Sequence, residues 1–122
     1  MTSALLYIED SSDNVGLVEK ILRRRPEIEL RVASTGQEGV QSAIDSQPAL
    51  ILLDNRLPDA TGLDVLRQLG ATPATATIPV LIVSGDTGGQ TASELRAAGA
   101  VGFITKPFDI HHLLSEIDKH VP

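Results

Sequence analysis

The sequence predicts an α/β domain built on a parallel sheet with helices packed on both faces. Three observations predict it. Short apolar runs alternate regularly with amphipathic stretches along the chain. Four of the runs are nearly continuous in apolar residues, as strands buried on both faces must be. The stretches between them carry apolar stripes at helical spacing, several opened by a capping residue.

The continuous runs are Ala4 to Ile8, Ala49 to Leu53, Pro79 to Val83 and Val101 to Ile104, read as central parallel strands. Ile28-Glu29-Leu30-Arg31-Val32 instead alternates apolar with charged residues, which suits the outermost strand of the sheet. Between the strands, Val15, Val18, Ile21 and Leu22 mark a first helix. Val40, Ala43 and Ile44 mark a second behind a Thr35/Glu38 capping-box pattern. Leu63, Leu66 and Leu69 mark a third behind Thr61/Asp64. Thr91 with Glu94 opens a short fourth helix that ends at Gly99. Asp109 caps a fifth, which carries Ile110, Leu113, Leu114 and Ile117.

At 122 residues the chain has the size of one domain, taken as 1–122, with no internal repeat or low-complexity linker. It holds 42% hydrophobic and 21% charged residues, the composition of an ordinary globular protein. No apolar stretch reaches the roughly twenty residues that span a bilayer, and Met1-Thr2-Ser3 lacks the start of a signal peptide. A cytoplasmic location without membrane contact is therefore expected. The absence of cysteine excludes disulfides and thiolate chemistry. A net charge of −6 with one Tyr, two Phe and no Trp offers neither a basic stripe nor a stacking platform, so no direct contact with nucleic acid is expected.

In open parallel sheets, ligands bind beyond the carboxyl ends of the strands. The first strand runs into Glu9-Asp10 and the third into Asp54, so two strands deliver three carboxylates to one edge. Gathered like charges are costly unless a cation neutralises them, and hard oxygen donors of this kind suit Mg²⁺. The fourth strand ends at Ser84 and the fifth at Thr105-Lys106-Pro107, adding a hydroxyl and an ammonium. Each residue alone has a plainer reading as a cap, a turn or a solvated charge. Together they form a phosphoryl-transfer set: a carboxylate nucleophile, metal ligands, a cation and a hydrogen-bond donor.

Four blocks, LLYIED at 5–10, LILLDNRLPDATG at 50–62, PVLIVSG at 79–85 and AAGAVGFITKPF at 97–108, resemble the bacterial response-regulator receiver domain. The spacing agrees with that family, thirty positions from Asp54 to Ser84 and twenty-two from Ser84 to Lys106. The resemblance implies a flavodoxin-like fold with strand order 2-1-3-4-5. It implies Asp54 as phosphoacceptor, with Mg²⁺ held by Asp54, Asp10, the backbone carbonyl of Arg56 and Glu9, the last directly or through water. Lys106 would bind the phosphoryl group, and Ser84 would hydrogen-bond it and be drawn inward. Phe103 would then rotate into the vacated space. The Lys106-Pro107 bond is expected to be cis.

The implied partner is a histidine kinase or a histidine phosphotransfer protein. The implied output surface is the face of helix 4, strand 5 and helix 5, which is also the candidate homodimer interface. The opening Leu6-Tyr7-Ile8-Glu9-Asp10 is similar to receivers attached to hybrid histidine kinases.

Departures from the family pattern are local. Gly85 follows Ser84 where alanine is commoner, and Thr87-Gly88-Gly89 suggests a loose loop. Arg56 and Asp86 occupy the positions two beyond Asp54 and Ser84, and are read as a gate that restricts water, against two separately solvated side chains. His111, His112 and His120 are read as surface residues, because the adjacent pair points in different directions on a helix.

A hydrolase with an aspartyl-phosphate intermediate is similar in its nucleophile and metal, but resembles a pattern with a second Asp where this chain has Arg56. A flavodoxin-type carrier shares the fold, yet Glu9-Asp10-Ser11-Ser12-Asp13 would repel a phosphate without metal. A degenerate receiver acting only as an interaction module is the remaining alternative. The joint presence of Asp10, Asp54, Ser84 and Lys106 opposes it.

Overall fold

Apolar runs with no polar face need a sheet that is covered on both sides, and three of the four lie in the middle of one. The structure, a computed structural model, describes residues 3–85 and 89–121, and the side chains of all of these except 89–91. The elements alternate as β1 (Ser3–Ile8), α1 (Ser12–Leu22), β2 (Ile28–Ala33), α2 (Gly36–Ser46) and β3 (Leu50–Asp54). They continue as α3 (Gly62–Ala71), β4 (Val80–Ser84), α4 (Gly89–Ala97), β5 (Gly102–Thr105) and α5 (Ile110–His120). The sheet has the order β2-β1-β3-β4-β5 with all neighbours parallel, as the resemblance implied. The run at 101–104, expected to be central, is instead the edge strand β5, because a continuous apolar run reports cover on both faces and not a place in the strand order.

Strand alternation divides the interior into two layers. Leu5, Tyr7, Leu50, Leu52, Leu81, Val83 and Ile104 pack against α1 and α5 through Val18, Ile21, Leu113, Leu114 and Ile117. Leu6, Ile8, Ile51, Leu53 and Ile82 face α2, α3 and α4 through Ala43, Val65, Leu66, Leu69 and Leu95. Each fully buried Leu or Ile contributes roughly 1.5–3 kcal/mol, so the central strands carry most of the fold's stability. β2 is an outer strand as its alternation predicts, although Val32 at its end is 46% exposed.

The helix starts follow local chemistry. Ser11, Thr35, Thr61 and Asp109 each cap the helix that follows by accepting from a backbone N–H. Thr61 and Asp64 complete a reciprocal box. At α2 only half of the expected box forms. Thr35 Oγ1 accepts from Glu38 N at 3.1 Å, but the Glu38 carboxylate accepts from Ser34 N and Oγ at 3.2 and 3.0 Å. The freely rotating serine hydroxyl lets one carboxylate oxygen take two donors one residue upstream.

α4 begins at Gly89, two residues before the expected Thr91 start. A T-x-x-E pattern permits a helix start without excluding one further upstream, because Thr and Glu also tolerate interior positions. The glycines read as a loose loop divide accordingly: Gly89 is helical, while Thr87 and Gly88 lie outside the described residues. α4 ends at Ala97, two residues before the expected Gly99, which terminates the turn that follows with a φ of +118° that a side chain would resist.

α2 approaches β1 closely enough to need a glycine. A Cβ on Gly39 would stand 2.8 and 2.9 Å from Ile8 Cγ1 and Cγ2. Among the described residues no helix is long and apolar enough to cross a membrane.

Candidate functional site

The carboxyl ends of the central strands bring the expected acids and lysine together. Glu9 directly follows β1 and Asp54 ends β3; they are 2% and 7% exposed. The register pairs Ile8 with Leu53, so the next residue on each strand is one of these carboxylates. Asp10 is exposed at the rim. Carboxylate oxygens of Glu9, Asp10 and Asp54 all lie within 4.8 Å of one another, a grouping able to hold a metal ion.

Lys106 reaches over this cluster from the end of β5, with Nζ 3.4 Å from Asp54 Oδ2 and 3.5 Å from Glu9 Oε1. Its peptide bond to Pro107 is cis, and its backbone N–H donates to the Ser84 carbonyl at 3.0 Å. Ser84 ends β4 and is buried. The Arg56 N–H donates to Asp54 Oδ1 at 3.3 Å, and an Arg56–Thr61 bridge closes the loop that follows β3. The Arg56 backbone is thereby held beside the Asp54 carboxylate.

Burial pushes the Glu9 carboxyl up to about 7, helped by the neighbouring Asp54 and opposed by Asn14 and Lys106. Asn14 Nδ2 donates to Glu9 Oε1 at 2.6 Å from the first turn of α1. The sequence reading missed this residue. Its signal was positional, since the first turn of a helix capped by Ser11 necessarily lies over the end of β1. A second missed contact is structural. Asp59, in the loop after β3, accepts from Gly36 N at 2.7 Å and Gln37 N at 3.1 Å, so the loop that follows Asp54 also caps α2.

Phe103 lies on the opposite side of the sheet, at the margin of the α2–α3–α4 layer, with the Arg96 guanidinium 4.8 Å from its ring centroid. Arg56 is exposed, while Asp86, its partner in the expected gate, lies outside the described residues. His111 and His112 are exposed and His120 is half-buried at the end of α5.

The family model described as "Response regulator receiver domain" matches residues 5–118. The chain belongs to the response-regulator receiver family. Among curated relatives, the receiver is 34% identical over 113 residues to the cell cycle transcriptional regulator CtrA of Caulobacter vibrioides. That alignment covers 93% of the chain and 48% of the relative, so the chain spans about half the length of that regulator. It is 26% identical over 121 residues to the polar-differentiation response regulator DivK of Brucella ovis, covering 99% and 98% of the two.

Among solved structures, the signal receiver domain of the putative LuxO repressor protein from Vibrio parahaemolyticus superposes with a TM-score of 0.90 at 28% identity. It covers 98% of this chain and 90% of that one. The receiver domain of sensor histidine kinase PA1611 from Pseudomonas aeruginosa PAO1, described with magnesium in its active site cleft, has a TM-score of 0.88 at 22% identity. It covers 98% of each chain and shares the fold. Two-component signalling is thus the setting of this receiver, whose named relatives are regulators.

Proposed function

We propose that Asp54 accepts a phosphoryl group from a phosphohistidine on a histidine kinase or histidine phosphotransfer protein, and that the acyl phosphate formed switches the receiver's surface. The observation that carries this reading is the buried Asp54 carboxylate at a central strand end, 3.4 Å from Lys106 Nζ and grouped with Glu9 and Asp10. In the reaction an Asp54 carboxylate oxygen attacks phosphorus, and the N–P bond to the donor imidazole breaks. The bonding pair stays on the imidazole nitrogen. Such transfer is governed chiefly by positioning and charge neutralisation.

The donor set fits Mg²⁺, being hard oxygens throughout, with Glu9 Oε2 buried and without a hydrogen-bond partner among the described residues. Glu9, Asp10, Asp54 and the Arg56 carbonyl would hold the ion. Bound there, it would neutralise charge on the acids and on the incoming phosphoryl oxygens. Lys106 reaches over Asp54 with its ammonium, which draws the phosphoryl oxygens and steadies the charge on the product. Ser84, buried at the end of β4, donates its hydroxyl to a phosphoryl oxygen.

The switch consists of Ser84 moving toward the phosphoryl group and Phe103 turning inward behind it, releasing its stack with Arg96. The face of α4, β5 and α5 reports this change, to a target or to a second copy of the chain. The reaction is stoichiometric rather than catalytic, and the setting is the cytoplasm.

Intact mass after incubation with Mg²⁺ and acetyl phosphate tests the reading. A single phosphoryl adduct that requires Mg²⁺ and is lost in Asp54→Asn supports it. No adduct, even from a histidine-phosphorylated donor protein, overturns it.

A further inference from the structure

Beneath the acidic cluster lies a polar atom that none of the roles above uses. Tyr7 is fully buried in the layer formed with Leu5, Val18, Leu52 and Leu114. A phenol there costs stability relative to a purely apolar ring unless its hydroxyl is partnered. Among the described residues only two buried side-chain polar atoms lack a hydrogen-bond partner: Tyr7 Oη and Glu9 Oε2.

Their placement and chemistry are complementary. Tyr7 and Glu9 are two residues apart where β1 runs into its loop, so they point to the same side of the sheet. Tyr7 pairs in register with Leu52, two residues before Asp54 on β3. A phenol hydroxyl supplies one donor, and a carboxylate oxygen is an acceptor. The other Glu9 oxygen is already engaged by Asn14 and Lys106.

We propose that Tyr7 is a positioning residue of the acidic site, whose hydroxyl donates to Glu9 Oε2 over one buried water, and so holds that carboxylate toward the cation. Glu9 is then gripped on both oxygens, by Asn14 and Lys106 on one and by the strand beneath it on the other. The effect on Mg²⁺ rests on the metal reading above; the link between Tyr7 and Glu9 does not.

The test is a double-mutant cycle of Tyr7→Phe, which keeps the ring, and Glu9→Gln, on the full chain. Calorimetric titration with Mg²⁺ is expected to show an affinity about tenfold weaker in Tyr7→Phe, the scale of a hydrogen bond to a charged group. In the Glu9→Gln background the same change is expected to leave the affinity within about twofold, since there is no carboxylate to position. Melting of the metal-free proteins at pH 8 gives the second readout: Tyr7→Phe lowers the melting temperature when Glu9 is present and not when it is Gln. Failure of the wild type to bind Mg²⁺ sinks the metal reading alone, and the melting cycle still decides the link. A Tyr7→Phe protein that melts at or above the wild-type temperature, equally in both backgrounds, overturns the inference.

Discussion

Lys106 Nζ stands 3.4 Å from Asp54 Oδ2 and also 3.5 Å from Glu9 Oε1, so one ammonium serves two buried carboxylates brought from different strands. Removing it leaves both acids uncompensated. Lys106→Ala is expected to destabilise the metal-free protein by about 1–2 kcal/mol, less than for a fully dry pair because the ammonium is partly solvated. Urea denaturation with and without Mg²⁺ checks this, and the deficit should shrink when the ion is present. An equal deficit in both conditions would show that the lysine and the ion do not share the same carboxylates.

The raised Glu9 carboxyl makes stability depend on pH in a stated direction. Its folded value of about 7 lies above the ordinary 4.5, so the folded state binds the proton more tightly than the unfolded chain. That contribution is fully present below about pH 4.5 and is lost as pH rises through about 7. A divalent cation bound by the ionised carboxylate counters the loss. At pH 8, Mg²⁺ at a hundred times its dissociation constant should stabilise by about 2.7 kcal/mol. The same Mg²⁺ concentration should do much less at pH 5, and calorimetric melting at the two pH values reads the difference. Asn14→Ala should raise the Glu9 carboxyl further and weaken Mg²⁺ binding at pH 7.

Asp59 ties the loop after Asp54 to the start of α2 through Gly36 N and Gln37 N. These N–H donors hold its carboxyl below the ordinary carboxylate range. The stability this adds is present above the unfolded value of about 3.8 and is lost as pH falls through the folded one. Asp59→Ala should speed amide exchange at residues 36 and 37 and lower the melting temperature. Asp59→Asn should do so less, because its amide oxygen still accepts. Hydrogen-exchange mass spectrometry at pH 7 separates the two.

Gly39→Ala should destabilise by about 1–3 kcal/mol, because its new methyl meets Ile8 on β1. Coupling it with Ile8→Val should recover part of the loss. Denaturant midpoints of the two single variants and the double variant measure this, and strict additivity would mean that α2 moves outward as a body instead.

Periodicity and end chemistry alone determined the α/β class, the central strands β1, β3 and β4, the outer β2 and the helix caps at Thr61 and Asp109, but not that β5 lies at the other edge. These are local properties of a chain that must bury apolar runs and satisfy backbone groups. The site set was legible from the residues at the strand ends, but the strand order and each residue's role only by resemblance, since no local pattern says which strands become neighbours. Only the tertiary structure decided the rest. It paired Glu9 with Asn14, sent the Glu38 carboxylate to Ser34, and anchored α2 through Asp59. It also left the Tyr7 hydroxyl beneath the acids without a partner among the described residues. A side chain finds its hydrogen-bond partner by distance in space. Residues as far apart as Asp59 and Gly36 become neighbours only when the sheet has aligned the loops at its edge.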